Sequence, residues 1–435
     1  MHIAFLYPRF ERHAQSNPSL LEFVPANEYM GSPSLGIASI AACTPAEHTQ
    51  SFHDDRVSPV DAAFPEADLY AISFFTAAAE RAFALADALR AQGKTVVAGG
   101  IFPSMMPEDT AQHFDAVVIG EGERVWPTLL QDFAKGQLAP RYEDGVGSLD
   151  ELPPPLVDLY MDAEKVVIDD YPLQLSRGCP LNCNACALPG VMGKRTRFFP
   201  EDTVWTTLMA FSARGKRCNL TEDTSFLPMP AMRRRFRSLL QRIADHRAEY
   251  GDEKPVSISY VGTSMPLLLN LDPTFFDLLK RAGVFRFYLV GGFDPVTIGA
   301  FGPGDPEQLE RAERCVKLCY DHGIEPYVSF LVGNDTDDEG TFDRMLEFSN
   351  RSKIRIAEFA IATPYPGTPV WHKLVAEDRL LHRRWTKYND ANVVFRPKNM
   401  SPERLHEGYL YLWREFYRSR QDLKDADYEL RTVQF

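Results

Sequence analysis

The feature that most constrains this chain is an alternation of short apolar runs with helix-like stretches, repeated along most of its length. In the first 145 residues the runs are HIAFLY (2–7), DLYAISFF (68–75), TVVAGG (95–100) and DAVVIGEGE (115–123). A strand that is apolar at consecutive positions must be covered on both faces, which is the condition of a parallel sheet. Between the runs, TAAAERAFALADALRAQGK (76–94) spaces its apolar residues as a helix does and ends at a glycine. Such alternation predicts a doubly wound α/β sheet whose ligand crevice lies at the carboxyl ends of the strands.

DELPPPLVDLY (150–160) interrupts the pattern. Its three consecutive prolines remove donors and fix the backbone, so it is expected as a linker that is neither helix nor central strand. Beyond it the alternation resumes with YPLQLS, RCNLTE, VSISYVG, FRFYLVGG, IEPYVSFLVG and IAEFAIATPYPG, with MRRRFRSLLQRIADHRAEY and PEQLERAERCVKLCYDHG as intervening helices. Six strand–helix units predict a partial or full (β/α) barrel with its chemistry on the loops after the strands. The last sixty residues are rich in aromatics and read as helices covering one end. The expected organisation is a Rossmann-like domain at 1–145, a Pro-rich linker at 146–170, a barrel at 171–370 and a helical extension at 371–435.

At 435 residues the chain can bury two separate cores. Its net charge of −13 argues against nucleic acid as a partner. No apolar run is long enough to span a bilayer. The amino terminus, MHIAFLYPRF, reads as a buried strand and lacks the features of a signal peptide. Seven cysteines, an odd number, do not suggest a disulfide framework, so a cytoplasmic chain with reduced thiols is expected.

Three of those cysteines, Cys179, Cys183 and Cys186, fall within LSRGCPLNCNACALPG (175–190), just after a strand candidate. Gly178 permits an unusual turn, and Pro180 stiffens the loop. Structural zinc requires four closed ligands, whereas Cys218 stands alone and no histidine lies between His113 and His246. A redox pair of Cys183 and Cys186 leaves Cys179 unexplained. A cubane iron–sulfur cluster has four irons, so three thiolates leave one iron open to a ligand that is not protein.

This C-x-x-x-C-x-x-C loop resembles the signature of the radical S-adenosylmethionine superfamily. Accompanying features occur in the order the superfamily uses: GKRTR (193–197), TEDTSF (221–226), GIEPYVSFLVG (323–333) and PYPGT (364–368). The resemblance implies a 4Fe–4S cluster held by the three cysteines. S-adenosylmethionine would sit on the open iron and be cleaved to a 5′-deoxyadenosyl radical. It also implies that Glu222 and Asp223, at the end of the second barrel strand, lie near the cationic end of S-adenosylmethionine; a helix cap is the plainer reading of the same residues. Relatives usually carry an aromatic before the third cysteine, and this chain has Ala185.

The front domain resembles the cobalamin-binding domain fused to many of these enzymes. Ser73, Phe75 and Thr76 follow one strand, Gly99 and Gly100 the next, and Gly120, Glu121 and Gly122 the one after. A glycine pair lets backbone approach a bulky ligand, although an empty sheet scaffold would show similar fragments. The Asp-x-His-x-x-Gly loop of histidine-ligated corrinoid proteins is absent. YPRFERHAQ stands in its place, with His13 out of spacing, so cobalamin is expected without a histidine axial ligand. Where relatives often read Gly-Gly-x-His-Pro, this chain has Phe102 before Pro103.

Cys43, Cys218, Cys315 and Cys319 read as core, and the arginines of 232–242 as a solvated helix face. Tyr365, in PYPGT, is a catalytic candidate or a turn-packing aromatic. The carboxyl-terminal segment resembles the tail of radical enzymes that modify hopanoids and bacteriochlorophyll precursors. Together these readings predict a cobalamin-dependent radical S-adenosylmethionine enzyme that methylates an unreactive carbon of a small molecule. It would be fed electrons by a donor such as flavodoxin or ferredoxin. Ring closure, rearrangement or oxidation with the same cofactors is the alternative, and a corrinoid or redox sensor is the non-enzyme one.

Overall fold

A computed structural model describes residues 1–23, 33–161, 170–181, 183–220, 230–253, 255–264, 268–269, 271–290 and 306–420. Its first sheet comprises β1 (His2–Tyr7), β2 (Thr49–Asp54), β3 (Leu69–Ser73), β4 (Thr95–Gly99), β5 (Ala116–Ile119) and β6 (Arg141–Glu143). All neighbours pair in parallel, in the order β2-β1-β3-β4-β5-β6. Strand order reverses between β1 and β3, and that switch point opens a crevice at their carboxyl ends. The expected helix forms at Ala79–Ala91 and buries Ala82, Leu85, Ala86 and Leu89; Gly93, at φ +73°, follows its end.

The linker departs from expectation at its end. Residues 152–156 have no regular structure, but Asp158–Met161 forms one helical turn. The prolines stop at Pro155, so nothing prevents a helix from starting three residues later. The turn fastens the linker to the front domain: the Ala38 N–H donates to the Tyr160 hydroxyl at 2.8 Å, and the Leu156 N–H to the Ala38 carbonyl at 2.9 Å.

The second sheet begins with β7 (Asp170–Pro172). Next in the chain come β8 (Ser176–Arg177) and β9 (Arg197–Phe198), which form a separate antiparallel pair. The run YPLQLS is thus two elements, because Ser176 leaves the sheet to pair with Phe198. The sheet continues through β10 (Arg217–Leu220), β11 (Ile258–Ser264), β12 (Arg286–Val290), β13 (Glu325–Val332) and β14 (Ile356–Ile361). These six strands run parallel in chain order, and among the described residues β7 and β14 do not pair. The result is an open partial barrel.

Its two faces follow from the alternation of side chains along a strand. Phe330 and Phe359 stack 5.3 Å apart and pack outward on Phe348, Trp413 and Phe416 of the covering helices. Their neighbours Ser329 and Glu358 therefore face inward. The helix Pro402–Arg418 begins at a local cap, with the Ser401 hydroxyl accepting from the Arg404 N–H at 3.1 Å and Pro402 at its first position. Residues 380–400 are largely irregular, apart from the short turn Trp385–Lys387. Among the described residues no helix is long and apolar enough to cross a membrane.

Candidate functional site

A cavity of about 280 Å³ occupies the switch point of the first sheet. Tyr7 from the end of β1, Ser73 and Phe75 from the end of β3, Gly99 and Gly100 after β4, and Gly120, Glu121, Gly122 and Glu123 after β5 line it. Of the front-domain candidates, only Thr76 lies outside the lining; it is buried at the start of a 3-10 turn. Gly100 sits at φ +106°, and a Cβ there would lie 2.7 Å from the Phe74 carbonyl oxygen. Ser104 ties two loops together: its hydroxyl donates to the Gly100 carbonyl at 2.7 Å and accepts from the Gly120 N–H at 2.9 Å. Phe102 belongs to the core, against Phe74, Phe83 and Trp385.

The opposite wall comes from the barrel half: Gln174, Arg177, Val191 and Met192. Arg177 closes β8 two residues before Cys179. The cysteine loop is folded back on its own continuation, with the Cys179 N–H donating to the Gly193 carbonyl at 3.1 Å. Gly178, at φ +85°, is needed there, since a Cβ would meet the Arg195 carbonyl oxygen at 2.3 Å. The Val370 N–H donates to the Asn184 carbonyl at 3.0 Å, so the helix Pro369–Ala376 braces the loop from outside. Cys179 and Cys183 are buried and Cys186 is half-buried.

Among the described residues no three His, Cys, Asp or Glu side chains converge as ligands of a single metal ion do. Thiolates on a cubane each hold a different iron and need not converge in that way. Three thiols on one short loop are the donor set that suits a cubane with one open iron, whereas structural zinc takes four closed ligands. The glycine backbone at the floor of this half-open, mainly apolar cavity suits close approach by a bulky ring such as a corrinoid, and no histidine lines it among the described residues. His13 lies elsewhere, its Nδ1 2.9 Å from the Tyr409 hydroxyl.

Glu222 and Asp223 lie outside the described residues. Tyr365 does not line the cavity; its hydroxyl donates to Asp390 Oδ1 at 2.7 Å. Burial, with Asp390 beside it, pushes the phenol well above the ordinary tyrosine range. Burial also raises the Asp390 carboxyl, with Arg12 at 3.6 Å working against it. Cys315 and Cys319 are fully buried, and burial pushes the Cys315 thiol up to about 12, as suits core side chains.

Two sets of contacts escaped sequence reading. Inside the barrel, the Glu358 carboxylate accepts from the Tyr327 and Ser329 hydroxyls at 2.9 Å each, and from Tyr288. The regular register of β13 on β14, which sets Ser329 opposite Glu358, creates that arrangement. At the cavity wall, Arg177 and Arg197 grip Glu123 and Glu121. Two arginines flanking the cysteines and two glutamates in GEGE were visible signals, but nothing in the sequence joins them.

Known proteins resemble the chain along most of its length. Residues 29–130 match the model of the B12 binding domain, and residues 368–434 that of a domain of unknown function, DUF4070. Bacteriochlorophyllide d C-12(1)-methyltransferase of Chlorobaculum tepidum is 27% identical over 90% of this chain and 84% of its own. Hopanoid C-2 methylase of Rhodopseudomonas palustris is 23% identical over 92% of this chain and 73% of its own. In fold, the chain is similar to the radical S-adenosylmethionine methyltransferase TsrM from Kitasatospora setae, solved with cobalamin and a 4Fe–4S cluster. The TM-score is 0.64 at 16% identity, over 94% of this chain and 85% of that one. With a sheet of the B12-binding type, an open barrel and a three-cysteine loop in one molecule, the chain resembles the radical S-adenosylmethionine enzymes that carry a cobalamin-binding domain.

Proposed function

We propose that the protein is a cobalamin-dependent radical S-adenosylmethionine methyltransferase acting on an unactivated carbon of a small molecule. The observation that carries this reading is the shared wall: Arg177 and Gln174, which close the glycine-floored cavity, lead directly into Cys179. Two cofactor sites so joined suit a reaction that uses both on one substrate. Relatives named for methyl transfer to carbon support the same reading.

Cys179, Cys183 and Cys186 would hold the cluster, whose electron cleaves S-adenosylmethionine to start the radical reaction, while cobalamin carries the methyl group. The chain's own share is placement. Gly99, Gly100 and Gly120 would let backbone meet the corrinoid, and burial of Cys179 and Cys183 shields those two thiols from water. Glu222 and Asp223 would meet the cationic end of S-adenosylmethionine. Tyr365, committed to Asp390, fits a supporting role better than a proton-transfer role. The electron would come from a low-potential donor of the flavodoxin or ferredoxin class, in a reducing cytoplasm.

Cobalamin is proposed to bind without histidine on cobalt, since His13 is engaged with Tyr409. Imidazole nitrogen splitting in the cobalt(II) paramagnetic resonance spectrum would count against it. The function itself is tested with reductant, candidate substrates and S-adenosylmethionine carrying a deuterated methyl group. Product that gains the label supports methyl transfer. Unlabelled product formed in step with 5′-deoxyadenosine replaces that reading with ring closure or oxidation.

A further inference from the structure

The short β8–β9 ribbon sets Arg177 opposite Arg197, and both guanidinium groups leave their own sheet for the loop after β5. Arg197 holds both oxygens of Glu121, with Nη1 to Oε2 at 2.7 Å and Nη2 to Oε1 at 2.5 Å. Arg177 Nη2 donates to Glu123 Oε1 at 2.5 Å, and its Nη1 lies 4.0 Å from Glu121 Oε1. Each of the four side chains is no more than 10% exposed. Arg197 is fixed further by donating to the carbonyls of Gly147 at 2.6 Å and Met192 at 2.9 Å.

Four buried charges are a poor way to gain stability, because each must be desolvated. What a planar two-pronged contact supplies well is geometry. The anchored loop, Gly120–Glu123, lines the cavity, and the anchored ribbon brackets the cysteine loop at both ends, at 177 and 197. Any ligand that stiffens the first is therefore felt at the second.

We propose that Glu121, Glu123, Arg177 and Arg197 are positioning residues that couple the two cofactor sites: a corrinoid in the cavity orders the cysteine loop, and a loaded cluster tightens the corrinoid. The inference rests on reading the cavity as the corrinoid site. Coupling of this kind is reciprocal, so the factor by which one cofactor improves the other is the same in both directions.

The full-length chain is prepared without iron, and hydroxocobalamin is added while hydrogen exchange is followed in peptides covering 183–192. Binding should slow exchange there roughly tenfold, and reconstituting the cluster should tighten cobalamin several-fold, as coupling of ordinary size allows. Arg197→Gln is the informative variant, since Arg197 does not line the cavity. It should leave cobalamin affinity of the iron-free chain close to normal while abolishing both the protection and the cluster-dependent tightening. Arg197→Lys, which keeps the charge but not the fork, should restore part of each. Should Arg197→Gln fold poorly, the comparison of Arg197→Lys with wild type carries the test, because a purely structural role would leave its coupling intact. Wild type that binds no cobalamin overturns the reading of the cavity, and the inference with it. Wild type that binds it with unchanged exchange at 183–192, or variants that keep full protection, overturn the inference alone.

Discussion

The ring of His13, just after β1, meets the hydroxyl of Tyr409, in the last described helix, at 2.9 Å across 396 residues. Trp413 packs edge-on against the same ring at 5.2 Å. The contact joins the amino-terminal sheet to the helix that covers β14, deep enough that burial holds the His13 imidazole down to about 3. An unfolded chain would protonate this histidine near pH 6.5, while the folded one resists. The group therefore contributes its full stability above about pH 6.5 and loses it as pH falls toward 3. Denaturant melts of wild type should weaken steadily across that window. His13→Gln should be less stable at neutral pH and flatter with acid. An equally steep acid loss in the variant would move the effect to other groups.

A second outcome concerns the cavity floor. Gly100 combines a positive φ with backbone only 2.7 Å from where a side chain would begin. Gly100→Ala should cost about 2 kcal/mol, in the range for a residue forced into such a conformation. It should also weaken cobalamin binding, because relief of the clash must move the loop that floors the cavity. Gly93→Ala serves as the comparison, since its positive φ comes with open space on all sides. It should lose stability without losing cobalamin, as read by a thermal melt and an absorbance titration.

Legibility in the sequence followed burial. The four inner strands of the first sheet and the strands of the second were readable because runs such as AVVI (116–119) are covered on both faces and must be apolar throughout, whereas the edge strands Thr49–Asp54 and Arg141–Glu143 carry too many polar residues to show. The helix starting at Pro402 was readable because its cap is local. Pairings made across the fold were not. Glu121 and Arg197 stand 76 residues apart, and only the packing of two domains brings them together. Glu358 interrupts an apolar strand, yet it is buried, because Tyr288, Tyr327 and Ser329 from two neighbouring strands satisfy it. For Tyr365 the sequence leaves a catalytic and a turn-packing role both open. Its direction is decided by Asp390, twenty-five residues later.

The cysteines divide into two sets with opposite expected behaviour. Replacing Cys179, Cys183 or Cys186 with Ala should abolish bound iron and sulfide after anaerobic reconstitution. Cys315→Ala should keep the cluster and lose about 1 kcal/mol or somewhat more of stability, as for a small buried side chain. Iron and sulfide analysis, with the visible absorbance of the reconstituted protein, separates the sets. Iron lost from Cys315→Ala and kept in Cys183→Ala would reverse the ligand assignment.

The last prediction concerns stoichiometry, and it follows from a cavity and a cysteine loop that share a wall. A corrinoid retained over many turnovers in the cavity that Gly100 and Arg177 line would need its methyl group replaced in place. The donor would be a second molecule of S-adenosylmethionine, reacting by displacement and leaving S-adenosylhomocysteine. The molecule consumed in the radical step leaves 5′-deoxyadenosine and methionine. Over many turnovers the protein should therefore release S-adenosylhomocysteine, 5′-deoxyadenosine and methylated product in equal amounts. Cys183→Ala separates the two halves, since it removes the radical step without touching the cavity lining. That variant, supplied with reduced cobalamin, should still make S-adenosylhomocysteine in an amount matching the protein, but no 5′-deoxyadenosine. Wild type that forms 5′-deoxyadenosine and product without matching S-adenosylhomocysteine would show that no methyl group is being replaced, and the methyl-transfer reading would fall.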